Sequence, residues 1–486
     1  MMALYHNSKT AAIDALAAQA LAVDSFGLML KAGAAIFEYV KDHPSLLVIT
    51  GPGNNGGDGF VVAELARLQG IKVTLVATRP LSELQGDALL AAQQFQGEVH
   101  GPEYLEEIAP DSYEVLVDAL FGTGLCSPAR APQAAVIEWI NQQPQAVVSI
   151  DIPSGLHGGS GQQLGKAVKA DLTVSVITLN TGLFTLAGKS HCGDVELADL
   201  GLAADVFTGV EADGWLLSAA ELNQLYTVRN DAGHKGSFGH VLTLGGQAGM
   251  LGAVLLAGQA VLKAGAGATT VVTDSAHAEM VPTAAPELMT WGFDASRCDM
   301  PLQELLERKA VDVVLLGMGM GRSDWSRQMY AHATAIAAPL VIDADGLYWL
   351  AAADALPGHL AVITPHPKEA ARLLDTHTAA VQEDRWQAVK ALANKYQCVA
   401  ILKGSGTLIS DGKTVWCCPY GNANLATAGT GDVLAGMVAG LLAQGHEAAS
   451  AARLAVLWHA MAGEYSAYGL TLTATDLLAS LHEVLP

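Results

Sequence analysis

The residues best suited to chemistry sit in glycine-rich turns. In TAGTGD (427–432) two glycines expose backbone N–H groups where the helical stretch VLAGMVAGLLAQ begins, and a helix start adds positive potential that favours anions. Asp432 falls in that first turn. An aspartate there often does no more than start a helix. Beside an anion pocket, however, it can take the proton of a hydroxyl that attacks a phosphoryl group. KGSGT supplies a second such turn, Lys403, Gly404, Ser405, Gly406 and Thr407, with the lysine as a cation for phosphate. GMGMG (317–321) is a third backbone-exposing loop. His366 stands rigidly between Pro365 and Pro367, although a lone loop histidine is more often structural.

A separate group lies nearer the N-terminus. GPGNNGGDG (51–59) joins an apolar run to a helical one, and its glycines let backbone approach a ligand closely. It matches GxGxxG in spacing, a weak signal alone, and lacks the GK[ST] of a Walker loop. Asp118 ends an apolar run, GTG (122–124) follows it, and Asp151 and Ser154 stand in DIPSG. Asp118 can equally be read as capping the next turn. Asn55, Asp118 and Ser154 each fall at or just past a strand end, so their oxygens could share one site for a hard cation.

Positioning these residues requires an α/β architecture. LLVIT (46–50), IKVTLVA (71–77), EVLVDAL (114–120), AVVSIDIPSGL (146–156) and LTVSVIT (172–178) read as strands, with helices between them over 60–70, 86–96 and 131–142. Residues 1–40 read as helical throughout. Near 203–222 the pattern breaks, which predicts a domain boundary at 210/211. Strands then resume at 240–246, 269–273, 311–321, 340–346, 360–367 and 398–406, with a helix over 250–264, a hairpin over 407–418 and closing helices over 431–443 and 447–465. Such alternation implies mostly parallel sheets. Ligands then bind beyond the carboxyl ends of the strands, where all the turns above fall.

Composition narrows the function. The 486 residues are 51% hydrophobic and 15% charged, which excludes a disordered chain. A net charge of −22 repels phosphate backbones, so nucleic acid is not an expected partner. No basic-then-apolar leader and no bulky apolar stretch of membrane length is present. Cys126, Cys192, Cys298, Cys398, Cys417 and Cys418 form neither a CxxC pair nor a zinc spacing and read as buried thiols of a reducing compartment. A cytoplasmic enzyme, away from membranes and assembled as a homo-oligomer, is the expectation.

Taken in order, GNNGGDG, VDALFGTGL and DIPSGL resemble the first domain of the bifunctional NAD(P)H-hydrate repair enzymes. GHKG (233–236), GMGMG, TPHPKE, KGSGT and AGTGD resemble their second. The resemblance spans nearly the whole chain. It implies a Rossmann-like three-layer domain over 1–210, an epimerase that interconverts the R and S forms of NADH or NADPH hydrated on the nicotinamide ring (NADHX and NADPHX). A ribokinase-like α/β domain over 211–486 would dehydrate the S form with ADP, releasing AMP and phosphate. By the same resemblance the epimerase substrate falls on Asn54, Asn55, Gly56, Gly57, Asp58, Gly122, Thr123, Gly124, Leu125, Cys126, Ser127, Pro128 and Asp151. Potassium falls on Asn55, Asp118 and Ser154. Lys403 through Thr407 and Gly431 would bind the adenine nucleotide, and Ala253, Gly319, His366 and Asp432 the hydrated dinucleotide. Asp432, Asp151 and Asp118 stand as the candidate catalytic carboxylates. Magnesium is expected from phosphoryl chemistry, with no ligand readable in the sequence. This sequence departs from the family at Asn180-Thr181, where Lys-Pro is usual, at Lys368, where Gly is common, and at Gly346, where Ala is common.

Two other readings start from the same residues. The G-T-G-D turn also suits an ATP-dependent kinase of a vitamin-type alcohol. The epimerase-type fold also occurs as an interaction module in mRNA-decapping enhancers. The fused first domain argues against the kinase, and Asn55, Asp118, Asp151 and Ser154 together argue against the module.

Overall fold

A computed structural model describes residues 1–109, 112–226, 231–296 and 310–485. The chain divides into two units, Met2–Trp215 and Leu216–Pro486.

In the first unit the strands are β1 (Met2–Tyr5), β2 (Ser45–Thr50), β3 (Lys72–Ala77), β4 (Val99–His100), β5 (Val115–Ala119), β6 (Ala146–Ile150), β7 (Leu172–Val176), β8 (Leu179–Asn180) and β9 (Asp194–Ala198). Seven of them make an all-parallel sheet in the order β4-β3-β2-β5-β6-β7-β9. Its strands are apolar on both faces because helices cover both. Leu46 and Val48 of β2 and Val117 of β5 enter one core, while Leu47, Ile49 and Leu116 enter the other. The order reverses between β2 and β5, whose last residues are level, Thr50 beside Ala119. The loops leaving these two strands therefore diverge and leave a crevice between them.

A short strand, β10 (Gly214–Leu216), lies where the chain passes to the second unit. There follow β11 (His240–Leu244), β12 (Ala268–Asp274), β13 (Met289–Phe293), β14 (Val313–Leu316), β15 (Leu340–Ile342), β16 (Leu360–Ile363), β17 (Val399–Leu402), β18 (Thr407–Ser410) and β19 (Val415–Cys418). Their order is β13-β12-β11-β14-β15-β16-β17-β18-β19. Pairing is parallel up to β17 and antiparallel through the β18–β19 hairpin. Here the reversal falls between β11 and β14, which puts GMGMG at the crevice. The apolar helices Leu251–Lys263 and Thr430–Ala443 pack closely, because a Cβ on Gly436 would lie 2.3 Å from the Ala257 carbonyl oxygen.

Three expectations need correction. The first 40 residues are not all helix. They open with β1, and the helices Thr10–Leu21 and Ser25–Phe37 are separated by Ala22, which ends the first in the left-handed region (φ 53°). Asp24 then caps the second by accepting from the Gly27 N–H. The helix expected from Phe60 begins inside the glycine motif, at Asn54. Cys126 is exposed rather than buried, whereas Cys192, Cys398, Cys417 and Cys418 are buried and in no disulfide, and Cys298 lies outside the described residues. Among the described residues no single helix is long and apolar enough to cross a membrane.

Candidate functional site

Each unit gathers its chemistry at its own strand ends. In the first, a cavity of about 890 Å³ opens at the β2/β5 crevice. Asn54, Asn55 and Asp58 reach it from the helix Asn54–Leu68, Gly122 to Leu125 from the loop after β5, and Asp151 from the turn after β6. Asn180 also lines it, where the sequence departs from Lys-Pro. Gly56 and Gly57 lie behind the wall: a Cβ on Gly56 would strike the Gly51 carbonyl oxygen at 2.0 Å, so the tight turn into the helix requires glycine. Cys126, Ser127 and Pro128 continue past the lining loop and do not face the cavity.

The expected ion trio divides into two parts. Asp118 is fully buried and accepts four hydrogen bonds, from Leu120 N–H (3.2 Å) and Ser154 Oγ (2.6 Å) on one oxygen and from Ser149 Oγ (2.9 Å) and Ser154 N–H (2.9 Å) on the other. A carboxylate has about four acceptor positions, so these are filled. Burial raises its pKa and the four donors oppose that rise. Asn55 is only 7% exposed, and neither its amide oxygen nor its amide nitrogen has a protein partner. An orphaned buried amide is costly, and this one lies in the cavity wall beside Gly122, a Cβ on which would be 3.1 Å from Asn55 Oδ1. Asn55 thus fits a ligand or cation. Asp118 and Ser154 brace the turn behind it.

Asp151 occupies the left-handed region (φ 62°), an unusual conformation for a non-glycine residue that strain must hold. Its N–H donates to the Val174 carbonyl at 2.8 Å, and its Oδ1 accepts from the Val176 N–H at 3.3 Å. Burial and then the charge of Asp14 push its carboxyl up to about 7. Burial, Asp151 and Asp14 likewise raise Asp58 well above the carboxylate range.

In the second unit the KGSGT and AGTGD turns meet. A Cβ on Gly431 would lie 3.4 Å from Lys403 Nζ and 3.9 Å from Asp343 Oδ2. Lys403 Nζ donates to Asp343 Oδ1 at 2.7 Å, and Thr364 Oγ1 donates to the same oxygen at 2.6 Å. Burial lowers the lysine's pKa, but the carboxylates of Asp343, Glu369 and Asp432 outweigh that and hold it above its usual value. Gly429, in the left-handed region (φ 92°), precedes the helix Thr430–Ala443, whose start has no side-chain cap. Burial, followed by Asp343, pushes Asp432 up to about 7 against the pull of Lys403. A carboxylate near 7 is poised for proton transfer at neutral pH.

His366 caps the helix Pro367–Leu373. Its Nδ1 accepts from the Lys368 and Glu369 N–H groups, its own N–H donates to Glu369 Oε2 at 2.8 Å, and its Nε2 lies 3.3 Å from Glu369 Oε1. Ala253 and Gly319 are neighbours, since a Cβ on Gly319 would be 3.1 Å from that of Ala253. GHKG (233–236) is exposed and leads into the short turn Lys235–Phe238, which His234 caps. Gly404 and Ser405 are exposed, and Gly406 is buried.

Several supporting residues carry no sequence signal. Arg385 is 1% exposed, and its guanidinium donates to carbonyls of Leu402 (3.2 Å), Lys403 (3.4 Å) and Gly406 (3.1 Å) and to Gln382 Oε1 (2.9 Å). It pins both ends of the KGSGT turn. Burial lowers its pKa to about 10, so it stays charged at neutral pH. His459, pushed down to about 4 by burial, is neutral and donates from Nε2 to the Thr430 carbonyl at 2.9 Å, bracing the GTGD turn. Asp343 and Glu369 are visible as residues of LVIDADG and TPHPKE, but their meeting at Lys403 is tertiary.

Comparison with known proteins gives the same two-part division. The profile of the YjeF-related protein N-terminus matches residues 25–182, and that of NAD(P)H-hydrate dehydratase matches residues 241–483. The bifunctional NAD(P)H-hydrate repair enzyme Nnr of Coxiella burnetii is 39% identical over 99% of this chain and 99% of its own length. That of Escherichia coli is 36% identical over 96% of this chain and 91% of its own. Among solved structures, an ADP/ATP-dependent NAD(P)H-hydrate dehydratase from Bacillus subtilis, crystallised with ATP and Mg2+, is 27% identical, covering 56% of this chain and 97% of its own (TM-score 0.50). A ribokinase-like superfamily protein from Enterococcus faecalis is equally similar (TM-score 0.50, 27% identity, 56% and 95% covered).

Proposed function

The chain belongs to the bifunctional NAD(P)H-hydrate repair enzymes, and on that premise we propose how its residues divide two reactions. The family function is epimerisation of hydrated NADH and NADPH and dehydration of the S form to the reduced dinucleotide. We assign the first reaction to the cavity of the first unit, with domain limits of 1–210 and 211–486. We assign the second to the Lys403–Asp432 region.

Dehydration must remove a hydroxyl from the ring carbon beside the ring nitrogen, and hydroxide leaves poorly. Asp432 takes the hydroxyl proton as the oxygen bonds to the terminal phosphorus of ADP and AMP departs. The ring nitrogen's lone pair then expels phosphate, and loss of a proton from the neighbouring carbon restores the reduced ring. Lys403 and the Gly429–Gly431 N–H groups offset the charge that gathers on the transferred group, and Arg385 and His459 hold those two turns. Magnesium would enter with the phosphates, because no three His, Cys, Asp or Glu side chains group to hold a metal among the described residues. The observation that carries this reading is the placing of Lys403 Nζ over Gly431, beside a carboxylate raised to about 7.

In the first unit, Asn54, Asn55, Asp58, Gly122–Leu125 and Asp151 would contact the dinucleotide. Asn55 fits a potassium ion by its orphaned oxygen, with Asp118 and Ser154 supplying charge and support from behind. The ion's charge would offset the carboxylates around it. We place the enzyme in the cytoplasm as a homo-oligomer acting on small molecules.

Purified S hydrate incubated with ADP, with ATP or with neither tests the second reaction. ADP is expected to restore NADH absorbance. Asp432→Asn, a change of nearly equal size in the first turn of a helix capped by Gly429, should lower that rate by roughly 10²–10⁴-fold. Turnover with ATP alone would overturn the ADP assignment, and near-wild-type turnover in the variant would overturn the role of Asp432. Potassium should raise the first unit's melting temperature above that in a large organic cation, because a ligand bound only by the native state stabilises it; equal values would remove the ion from Asn55.

A further inference from the structure

The first unit's cavity contains a carboxylate that neither the glycine motif nor the strand-end aspartates announce. Asp14 lies on the helix Thr10–Leu21, next to the buried Ile13 that also lines the cavity, and it shares that space with Asp58, Asp87 and Asp151. Among the described residues lining the cavity there is no lysine, arginine or histidine. Asn55, 93% buried and without a protein partner, shows that the wall is built for a bound group rather than closed on itself.

We propose that Asp14 is a catalytic acid–base residue of the epimerisation, paired with Asp151 across the hydrated ring. The proposal rests on the reading of this cavity as the epimerase site. Inverting the ring carbon requires its hydroxyl to leave from one face and water to return on the other. One carboxyl donates its proton to the hydroxyl oxygen. The C–O bond breaks with its electrons going to that oxygen, water forms, and the ring nitrogen's lone pair stabilises the carbon left behind. Water then adds to the opposite face, and the second carboxylate takes its surplus proton. Atoms and charge balance over the cycle, and no co-reactant is needed.

Such a cycle needs two carboxyl groups on separate elements that hold one proton between them. Asp14 comes from an N-terminal helix and Asp151 from a strained turn after β6. Burial pushes Asp14 up to about 6, and burial with the Asp14 charge pushes Asp151 up to about 7. Near neutrality the pair therefore exchanges a proton readily, with apparent values that belong to the pair. Asp58 is more deeply buried and adds to the repulsion.

The test uses the full-length chain. Conversion of purified R hydrate to S is followed without nucleotide for wild type, Asp14→Asn and Asp151→Asn, and ADP-dependent dehydration of S reports on the other unit. Asp14→Asn is expected to slow epimerisation by roughly 10²–10⁴-fold while dehydration is unchanged and the melting temperature holds or rises, because a repelled carboxylate has gone. Formate added to Asp14→Ala should restore part of the rate, which a packing role would not allow. In water enriched in ¹⁸O, wild type should label the ring hydroxyl and Asp14→Asn should not. A silent Asp14→Asn beside a crippled Asp151→Asn overturns the role of Asp14 alone. Silence of both variants overturns the cavity reading and this inference with it. An Asp14→Asn protein that melts lower and gains nothing from formate in the alanine variant would make Asp14 structural.

Discussion

Both units place reactive loops beyond the carboxyl ends of parallel strands, and both crowd carboxylates there. They differ in what is set against those carboxylates. In the second unit Lys403 lies among Asp343, Glu369 and Asp432 and is paired to Asp343 at 2.7 Å. In the first, Asp14, Asp58, Asp87 and Asp151 line one cavity with no cationic side chain among the described lining residues. The contrast follows from the chemistry. Phosphoryl transfer concentrates negative charge and needs a fixed cation. Moving water on and off a ring that becomes positive needs carboxylates beside it, and the charge proposed to offset them is the potassium ion at Asn55 rather than a side chain. One fold logic thus serves two reactions through the source of the compensating charge, a fixed lysine in one unit and a proposed bound ion in the other.

Removing the cation from the second site should have the largest effect. Lys403→Met leaves Asp343 buried without its partner, a change that typically costs about 3–5 kcal/mol. The second unit should melt lower and lose most ADP-dependent dehydration, while epimerisation continues. Calorimetry resolving two transitions, with both assays, checks this; two unchanged transitions would make the pair incidental.

The converse change adds a cation to the first site. Asn180→Lys restores the side chain usual in the family at a lining position. A nearby ammonium favours ionised carboxylates and lowers their pKa. The pH optimum of epimerisation should therefore move down by about one unit. An unmoved optimum would separate Asn180 from the carboxylates that titrate.

A smaller effect concerns stability against pH. Asp432 and Glu369 both have folded pKa values raised to about 7. A raised carboxyl contributes stability that is present below its unfolded value near 4 and lost as pH rises through about 7. Asp432→Asn removes one such group, so its melting temperature should gain on wild type by a few degrees between pH 5 and pH 8. A constant difference across that range would place the carboxylate in solvent.

What sequence could disclose follows the range of the interactions. Short apolar runs mark the parallel strands because both faces of each sheet are covered. The turns after them are marked by glycine, and several residues of the first unit's turns line one cavity, whereas Gly56, Gly57, Cys126, Ser127 and Pro128 do not. Signals failed where an interaction was tertiary. Asp14 reads as one polar residue in an alanine-rich helix, and nothing nearby shows that Asp151, more than 130 residues later, faces the same cavity. Arg385 opens an ordinary amphipathic helix and is explained only by the carbonyls it meets. Ala22 has no signature for ending a helix, yet it takes the left-handed conformation that does so.

The division of labour is tested most directly by one time course, an equimolar mixture of R and S hydrate supplied with ADP and followed to completion by NADH absorbance and chiral separation. Wild type should convert the whole mixture to NADH. Asp14→Asn should consume the S half at the wild-type rate and then stall on R. Asp432→Asn should form almost no NADH while still equilibrating R with S. An Asp14→Asn protein that consumes both halves at one rate, or an Asp432→Asn protein that halts epimerisation as well, would contradict two separate sites.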